Sequence, residues 1–370
     1  MHLVYLCPFH SSLLDWVPNL AAVTGVRIST QDKCNPNTCK QIVKKLGAAV
    51  PDSGSSKKSK KNSGKKKNLS KLVLHGPKIY GSLMGELVRQ ETGAGLKTIE
   101  FSQVKQTQST KLEGSVADFF RTCSQLEEIY MPQALATAGT LRASLTSPLM
   151  SARAGSATLL RVLDLSSSGY NSFAEQQMTV RDIATLGRVA PELEVLKLVA
   201  VSGVPTGTEP DIIHMLWPAF IAQPMEALPR LKEFSLGRII KDFCYRTAPK
   251  YASTENVNSF LTWLLAGMPQ VEKFSFGHGR SSMTRKDEST FSYPDLPGIG
   301  DVIWPTSLKY LRLRNLALES SAFENADLPS LQTLKLSSCG SNVGTIIDSI
   351  GRSHPDVEAS DESQNYRDRW

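Results

Sequence analysis

Long apolar runs are missing: none of the roughly 18 consecutive apolar residues that a bilayer-spanning helix needs occurs in the 370 residues, so a transmembrane helix is not expected. The first twenty residues have no basic stretch ahead of an apolar core, and Asp15 and Trp16 interrupt the place where that core would lie, so a secretory leader is not expected either. Cysteine is sparse. Of the six, Cys7, Cys34, Cys39, Cys123, Cys244 and Cys339, only Cys34 and Cys39 lie close together, so no disulfide framework is built and a reducing compartment, nucleus or cytoplasm, is expected. No second Cys or His pair accompanies Cys34 and Cys39, which reads as two free thiols and not as half of a zinc site.

Catalytic signatures are missing as well. The chain holds no Gly-x-Ser-x-Gly elbow, no His-Glu-x-x-His, no phosphate-binding loop and no full dinucleotide fingerprint, so neither an enzyme nor a cofactor or metal is expected. Gly93-Ala94-Gly95 reads as a tight turn into a strand. The six histidines are unclustered; His75 and His278 follow strand segments and are expected to be hydrogen-bonded structural imidazoles.

The net charge of +7 looks at first like a nucleic-acid signature. Yet Lys57, Lys58, Lys60, Lys61, Lys65, Lys66 and Lys67 account for all of it, with no acid among them. These lysines lie in residues 51–68, a Ser-, Gly- and Lys-rich stretch too polar to pack, which is expected to be a disordered insertion. The run has the composition of a nuclear-targeting signal that an importin would read. Direct nucleic-acid binding is not expected, because no aromatic is interleaved to stack on a base.

What the chain does have is a repeat. An apolar residue, two variable residues, a second apolar, one variable and a third apolar recur as Leu69/Leu72/Leu74, Leu96/Ile99/Phe101, Leu126/Ile129/Met131, Leu160/Leu163/Leu165, Leu193/Leu196/Leu198, Leu231/Phe234/Leu236, Val271/Phe274/Phe276, Leu308/Leu311/Leu313 and Leu331/Leu334/Leu336. Pro191, Pro229, Pro269 and Pro329 each stand two residues before a first apolar position, where they end the preceding helix. Damaged repeats are read at both ends, from Pro18-Asn19-Leu20 with Val23, and from Pro355-Asp356-Val357. Between strand segments lie stretches of helical period, such as Ile79, Leu83 and Leu87 beside Tyr80, Met84 and Val88, and Val257, Phe260, Leu261, Leu264 and Leu265. One strand-helix unit cannot bury both its apolar faces alone. Stacked units can, through a parallel sheet, so the organisation expected is degenerate repeats over 1–50, the insertion over 51–68, repeats over 69–357 and a polar tail over 358–370.

The segment Leu331-x-x-Leu334-x-Leu336-x-x-Cys339 resembles the leucine-rich-repeat superfamily, in which the ninth position is Asn or Cys. Repeat starts lie between 23 residues apart, Leu308 to Leu331, and 40 apart, Leu231 to Val271, which is similar to the ribonuclease-inhibitor-like and F-box-associated branch. The resemblance implies an α/β solenoid, a horseshoe with a parallel concave sheet and irregular helices on its convex side. It further implies a non-enzymatic module that holds a protein partner on the concave face, as an adaptor or substrate-recognition subunit of a ubiquitin ligase. No F-box is seen, and repeat-like sequence begins near Met1 with Leu3 and Leu6. A regulator of small GTPases is the alternative, although such arrays are more regular and end in a strongly acidic stretch; a nuclear nucleic-acid-associated protein led by the lysine run is another.

Alternation along each strand sends the residues between the apolar positions to the concave face. The central row there reads Val73, Glu100, Tyr130, Asp164, Lys197, Ser235, Ser275, Arg312 and Lys335, acidic early and basic late. With the flanking Glu128, Tyr310 and Arg314, the charged and aromatic members of this row are the expected partner-binding residues, and Arg312 and Arg314 are expected to be exposed.

Overall fold

The structure is a computed structural model, describing residues 4–6, 24–29, 37, 40, 41, 43, 44, 69–76, 81–103, 110–132, 159–166, 180–202, 224–240, 254–277, 298–300, 302–323, 326–340 and 342–362. The insertion at 51–68 with all seven of its lysines, the pair Cys34 and Cys39, and His278 lie outside the described residues. No described helix is long and apolar enough to cross a membrane. The chain forms two compact units, Met1–Gln176 and Gln177–Trp370, each an α/β unit with a parallel sheet.

In the first unit the strands β1 (Val4–Leu6), β2 (Gly25–Ser29), β3 (Lys71–His75), β4 (Thr98–Ser102), β5 (Glu128–Tyr130) and β6 (Val162–Asp164) lie side by side in chain order, all parallel. The helices α1 (Gly81–Arg89) and α2 (Thr110–Thr122) connect successive strands. In the second unit the order is β7 (Val195–Ser202), β8 (Glu233–Ile240), β9 (Lys273–Gly277), β11 (Tyr310–Arg314), β13 (Thr333–Ser337) and β14 (Glu358–Asp361), again all parallel. Two short strands, β10 (Gly298–Ile299) and β12 (Ala317–Leu318), pair separately. The second unit also carries α3 (Val180–Ala184), α4 (Leu186–Val189), α5 (Thr254–Ala266) and α6 (Val343–Ser353).

All nine apolar triplets are buried, and their second and third members sit in register on neighbouring strands, Leu72 opposite Ile99 and Leu311 opposite Leu334. Each such side chain contributes about 1.5–3 kcal/mol when fully removed from water. Helix stripes fill the other side of the core: Leu83, Met84 and Leu87 from α1, Phe119 and Phe120 from α2, and Phe260, Leu261 and Leu264 from α5 are fully buried. Phe120 meets Phe101 of β4 with ring centroids 6.2 Å apart, and Phe260 meets Phe276 of β9 at 6.1 Å.

The prolines do more than end helices. Leu193 N–H closes on Ala190 O at 3.1 Å, Leu231 on Leu228 at 3.1 Å, Val271 on Met268 at 3.2 Å and Leu331 on Leu328 at 3.1 Å, so each proline occupies the second residue of a four-residue turn, where its fixed φ is pre-set. The residue after the first apolar position then offers one carbonyl to two N–H groups of the next strand. Ser70 O takes Lys97 and Thr98, Lys97 O takes Glu127 and Glu128, Glu194 O takes Lys232 and Glu233, Glu272 O takes Lys309 and Tyr310, and Lys309 O takes Gln332 and Thr333. This shared acceptor locks the register of each strand to its neighbour.

The damaged repeat read from Leu20 and Val23 lies outside the described residues, while Val26 and Ile28 of β2 just beyond it are fully buried. The polar tail expected from residue 358 begins as a strand, β14, whose Ala359 stands opposite Leu334 and whose Ser360 stands opposite Lys335. Backbone pairing along β13 holds it, with the Glu362 N–H reaching Leu336 O at 2.7 Å, although it has no apolar triplet to announce it.

Candidate functional site

In the first unit, ladder register aligns Arg27, Val73, Glu100, Tyr130 and Asp164 in one row on the face turned away from the buried triplets. Glu100, Tyr130 and Asp164 are half-buried, while Val73, on the same face, is buried. Glu128 accepts from Thr98 Oγ1 at 3.1 Å and from Tyr130 OH at 3.5 Å. Burial, followed by the negative charges of Glu128, Asp164 and Glu100, raises the Tyr130 hydroxyl above its ordinary pKa of 10.0. Its proton therefore stays on as a donor. Asp164 also caps its own turn, accepting the Ser166 N–H at 2.9 Å and the Ser166 hydroxyl at 2.5 Å.

Arg27 was not expected here, although the Val23/Val26/Ile28 phase would have placed it. Its Nη2 lies 2.8 Å from His75 Nδ1, which is also 2.9 Å from Ser102 Oγ. His75 is thus hydrogen-bonded, as expected of it. With Arg27 as an obligatory donor, Nδ1 accepts, so the ring is neutral. Desolvation, then the Arg27 charge, lowers the His75 pKa against a smaller opposing pull from Glu100.

In the second unit the same row reads Lys197, Ser235, Ser275, Arg312, Lys335 and Ser360. Tyr310, Arg312 and Arg314 alternate with Leu311 and Leu313, which are fully buried, so all three stand on the open side of β11. The basic character expected of this row is partly neutralised. Lys197 pairs with Glu233 at 2.8 Å. Arg312 Nη2 binds Glu362 Oε2 at 2.6 Å, and Lys335 Nζ binds Glu362 Oε1 at 3.0 Å.

Burial of Glu362 opposes its ionisation, but Lys335 and Arg312 together outweigh that and hold its pKa below the ordinary 4.5, while the hydrogen bond to Glu362 raises that of Lys335 above 10.5. Arg312 and Arg314 are half-buried, not exposed as expected, because neighbouring strands crowd their stems. Their Nε–H groups are enclosed with no acceptor among the described residues. Beside Arg314, Gly277 is buried and closely packed: a Cβ there would lie 2.8 Å from Gly237 O and 3.4 Å from Arg314 Nε, so no side chain fits.

Glu362 and Glu233 were missed, the first because β14 lacks the apolar pattern and the second because it flanks the central row. Among the described residues no group of three or more His, Cys, Asp or Glu is arranged to hold a metal ion. Gly93-Ala94-Gly95 forms a short 3-10 turn, Thr92–Gly95, and Gly93 packs directly against Thr122 and Cys123, leaving no room for a side chain. No family model matches the chain, and no curated protein matches its sequence.

Proposed function

We propose that this chain is a leucine-rich-repeat solenoid that works as a non-enzymatic binding protein, its open sheet face holding a protein partner. The observation that carries the reading is the register. Strand after strand, apolar triplets align inward while polar, charged and aromatic residues align in rows on the opposite face, Glu100 beside Tyr130 beside Asp164 in one unit and Arg312 beside Lys335 in the other. Side chains that point the same way from successive rigid strands form a pre-organised surface, which loses little conformational entropy on binding. Tyr and Arg in that setting combine contact area with directional hydrogen bonding.

Within this reading the chain serves as an adaptor, with substrate recognition for a ubiquitin ligase as the specialisation implied by its irregular spacing. The lysine run from Lys57 to Lys67 acts as an importin signal that brings the protein into the nucleus.

Affinity purification with mass spectrometry tests the reading when it is quantitative and paired with face variants. Tyr130→Ala in the first unit and Tyr310→Ala with Arg314→Gln in the second should each remove proteins that the wild type captures, while Arg352→Gln, exposed on α6, should keep them. Equal capture by all of these chains, each with the wild-type melting temperature, would refute binding through the sheet face. Co-purification of ligase subunits supports the specialisation, and a fluorescent fusion carrying Lys57, Lys58, Lys60 and Lys61 as Gln tests import.

A further inference from the structure

We propose that Arg312, Lys335 and Arg314 form a carboxylate-recognition site for an extended acidic segment of a partner protein, and that Glu362 occupies this site in cis until the partner displaces it. The inference rests on the reading of the sheet face as a binding surface and specifies the chemistry of what binds.

Arg312 and Lys335 are Cα partners on adjacent strands, a placement that sets two like charges side by side on one face. Such a pair is unfavourable unless an anion lies between them. Glu362 is that anion, giving one oxygen to each cation. A third cation, Arg314, stands two residues beyond Arg312 on the same strand and the same side, while Glu362 pairs with Arg312 and Lys335. Both arginines keep an enclosed Nε–H with no acceptor among the described residues. The cluster therefore has more donor capacity than Glu362 can satisfy.

Glu362 is also a replaceable ligand. It follows the last residue of β14, and its backbone is held by the N–H bond to Leu336 O. Lys335 and Arg312 keep 33% and 28% of their side chains exposed, so an incoming carboxylate can reach them from solvent.

Spacing selects the occupant. Arg312 and Arg314 are separated by two residues of extended strand, about 6.8 Å, which equals the distance between acidic side chains at alternate positions of an extended peptide. Ser235 and Ser275 continue the row with short hydroxyls that can donate to it. A carboxylate segment fits better than a phosphate backbone, because Lys197 is already taken by Glu233 and the surplus charge is confined to one small cluster.

The test uses the full chain and three labelled probes: a decapeptide of alternating Ser and Glu, the same peptide with Gln for Glu, and a ten-residue oligothymidylate. If Glu362 fills the site about nine-tenths of the time, Glu362→Gln should tighten the Ser-Glu peptide about tenfold and leave the Ser-Gln peptide unchanged. Arg312→Gln combined with Lys335→Gln should abolish binding. An independent arm leaves the edge strand untouched, since Arg314→Gln should weaken the Ser-Glu peptide by about fivefold.

Unchanged or weaker peptide binding by a Glu362→Gln chain of wild-type melting temperature overturns the proposal. So does an Arg314→Gln chain that binds as the wild type does, and so does an equal gain for the oligothymidylate, which would mark a general anion site. If these arms fail while the Tyr130 and Tyr310 variants still lose their captured protein, the carboxylate site falls and the binding function stands; loss of neither removes both.

Discussion

The thiol of Cys339 donates to the carbonyl of Leu313 on the neighbouring strand, Sγ to O 3.3 Å, tying the end of β13 to β11 from within the core. It makes a second contact to Ser337 O at 3.4 Å, and burial pushes its pKa up from 9.0 to about 11. Cys123, bonded to Phe119 O at 3.4 Å, is pushed up by burial to about 12.

Both thiols should therefore be inert in the folded chain. Alkylation with iodoacetamide near pH ~7.5 should leave Cys123 and Cys339 unmodified and label them once denaturant is added. Because the folded state holds these protons more tightly than the unfolded chain does, stability is unaffected below the unfolded value of 9.0 and falls as pH rises from there toward about 11 and 12. Urea midpoints across that range should show the slope, and Cys339→Ala with Cys123→Ala should flatten it. Rapid labelling of native Cys339 would show that its contact with Leu313 is not maintained.

His75 supplies an acid-side prediction for the first unit. Its folded pKa lies below the ordinary 6.5, so its stabilising contribution is complete above that value and is lost as pH falls through the lowered one. Protonation would turn Nδ1 from an acceptor into a donor facing Arg27. His75→Gln, which cannot gain the charge, should remove this part of the acid sensitivity. An NMR titration giving His75 a pKa above 6.5 would contradict the arrangement.

The Glu362 link has a pH window with two edges. The Glu362 contribution is lost as pH falls below 4.5 through its lowered value, and the Lys335 contribution as pH rises above 10.5 through its raised one. Between these limits β14 should remain paired with β13, with the Glu362 amide protected from hydrogen exchange. Arg312→Glu should break the link from the other side by setting a carboxylate against Glu362, so charge reversal there should lower melting temperature as well as binding. The neutral Arg312→Gln, which removes the Arg312–Glu362 ion pair without adding a repulsion, should lower the melting temperature less.

Core substitution should act on stability alone. Leu196 of β7 is fully buried, opposite Phe234, and Leu196→Ala should cost about 2–5 kcal/mol by leaving a cavity. Chemical denaturation measures it. A cost under about 0.5 kcal/mol would mean that the strand phase is wrong.

The repeat was legible because burial selects residue type. Leu69 to Leu336 could be phased from spacing alone, and the prolines marked the turns. Other features carry no such mark. Among the described residues the position two residues beyond the third apolar one turns left-handed in four repeats, at Gly76, Gln103, Asn315 and Ser338 with φ of 134°, 59°, 53° and 55°. Only one of these is glycine, and only Asn315 belongs to the types that favour that region, so no residue signature reveals the shared bend. At Gly76 and Asn315 it is supported by N–H bonds to Ser102 O and Ser337 O, which depend on the next strand being in place. Strand β14 was illegible for a similar reason, since backbone pairing along a finished edge makes no demand on side-chain polarity.

Sequence alone determined which residues of this protein lie inward, how the strands alternate with helices, and which side chains each strand offers on its open face, because apolar burial and two-residue periodicity act locally along the chain. Tertiary structure decided which of those offered groups are already engaged. Arg312 and Lys335 with Glu362, Lys197 with Glu233, and Arg27 with His75 are joined across 27 to 50 residues of chain, and the meeting of charges on separate strands depends on register, which no single segment contains.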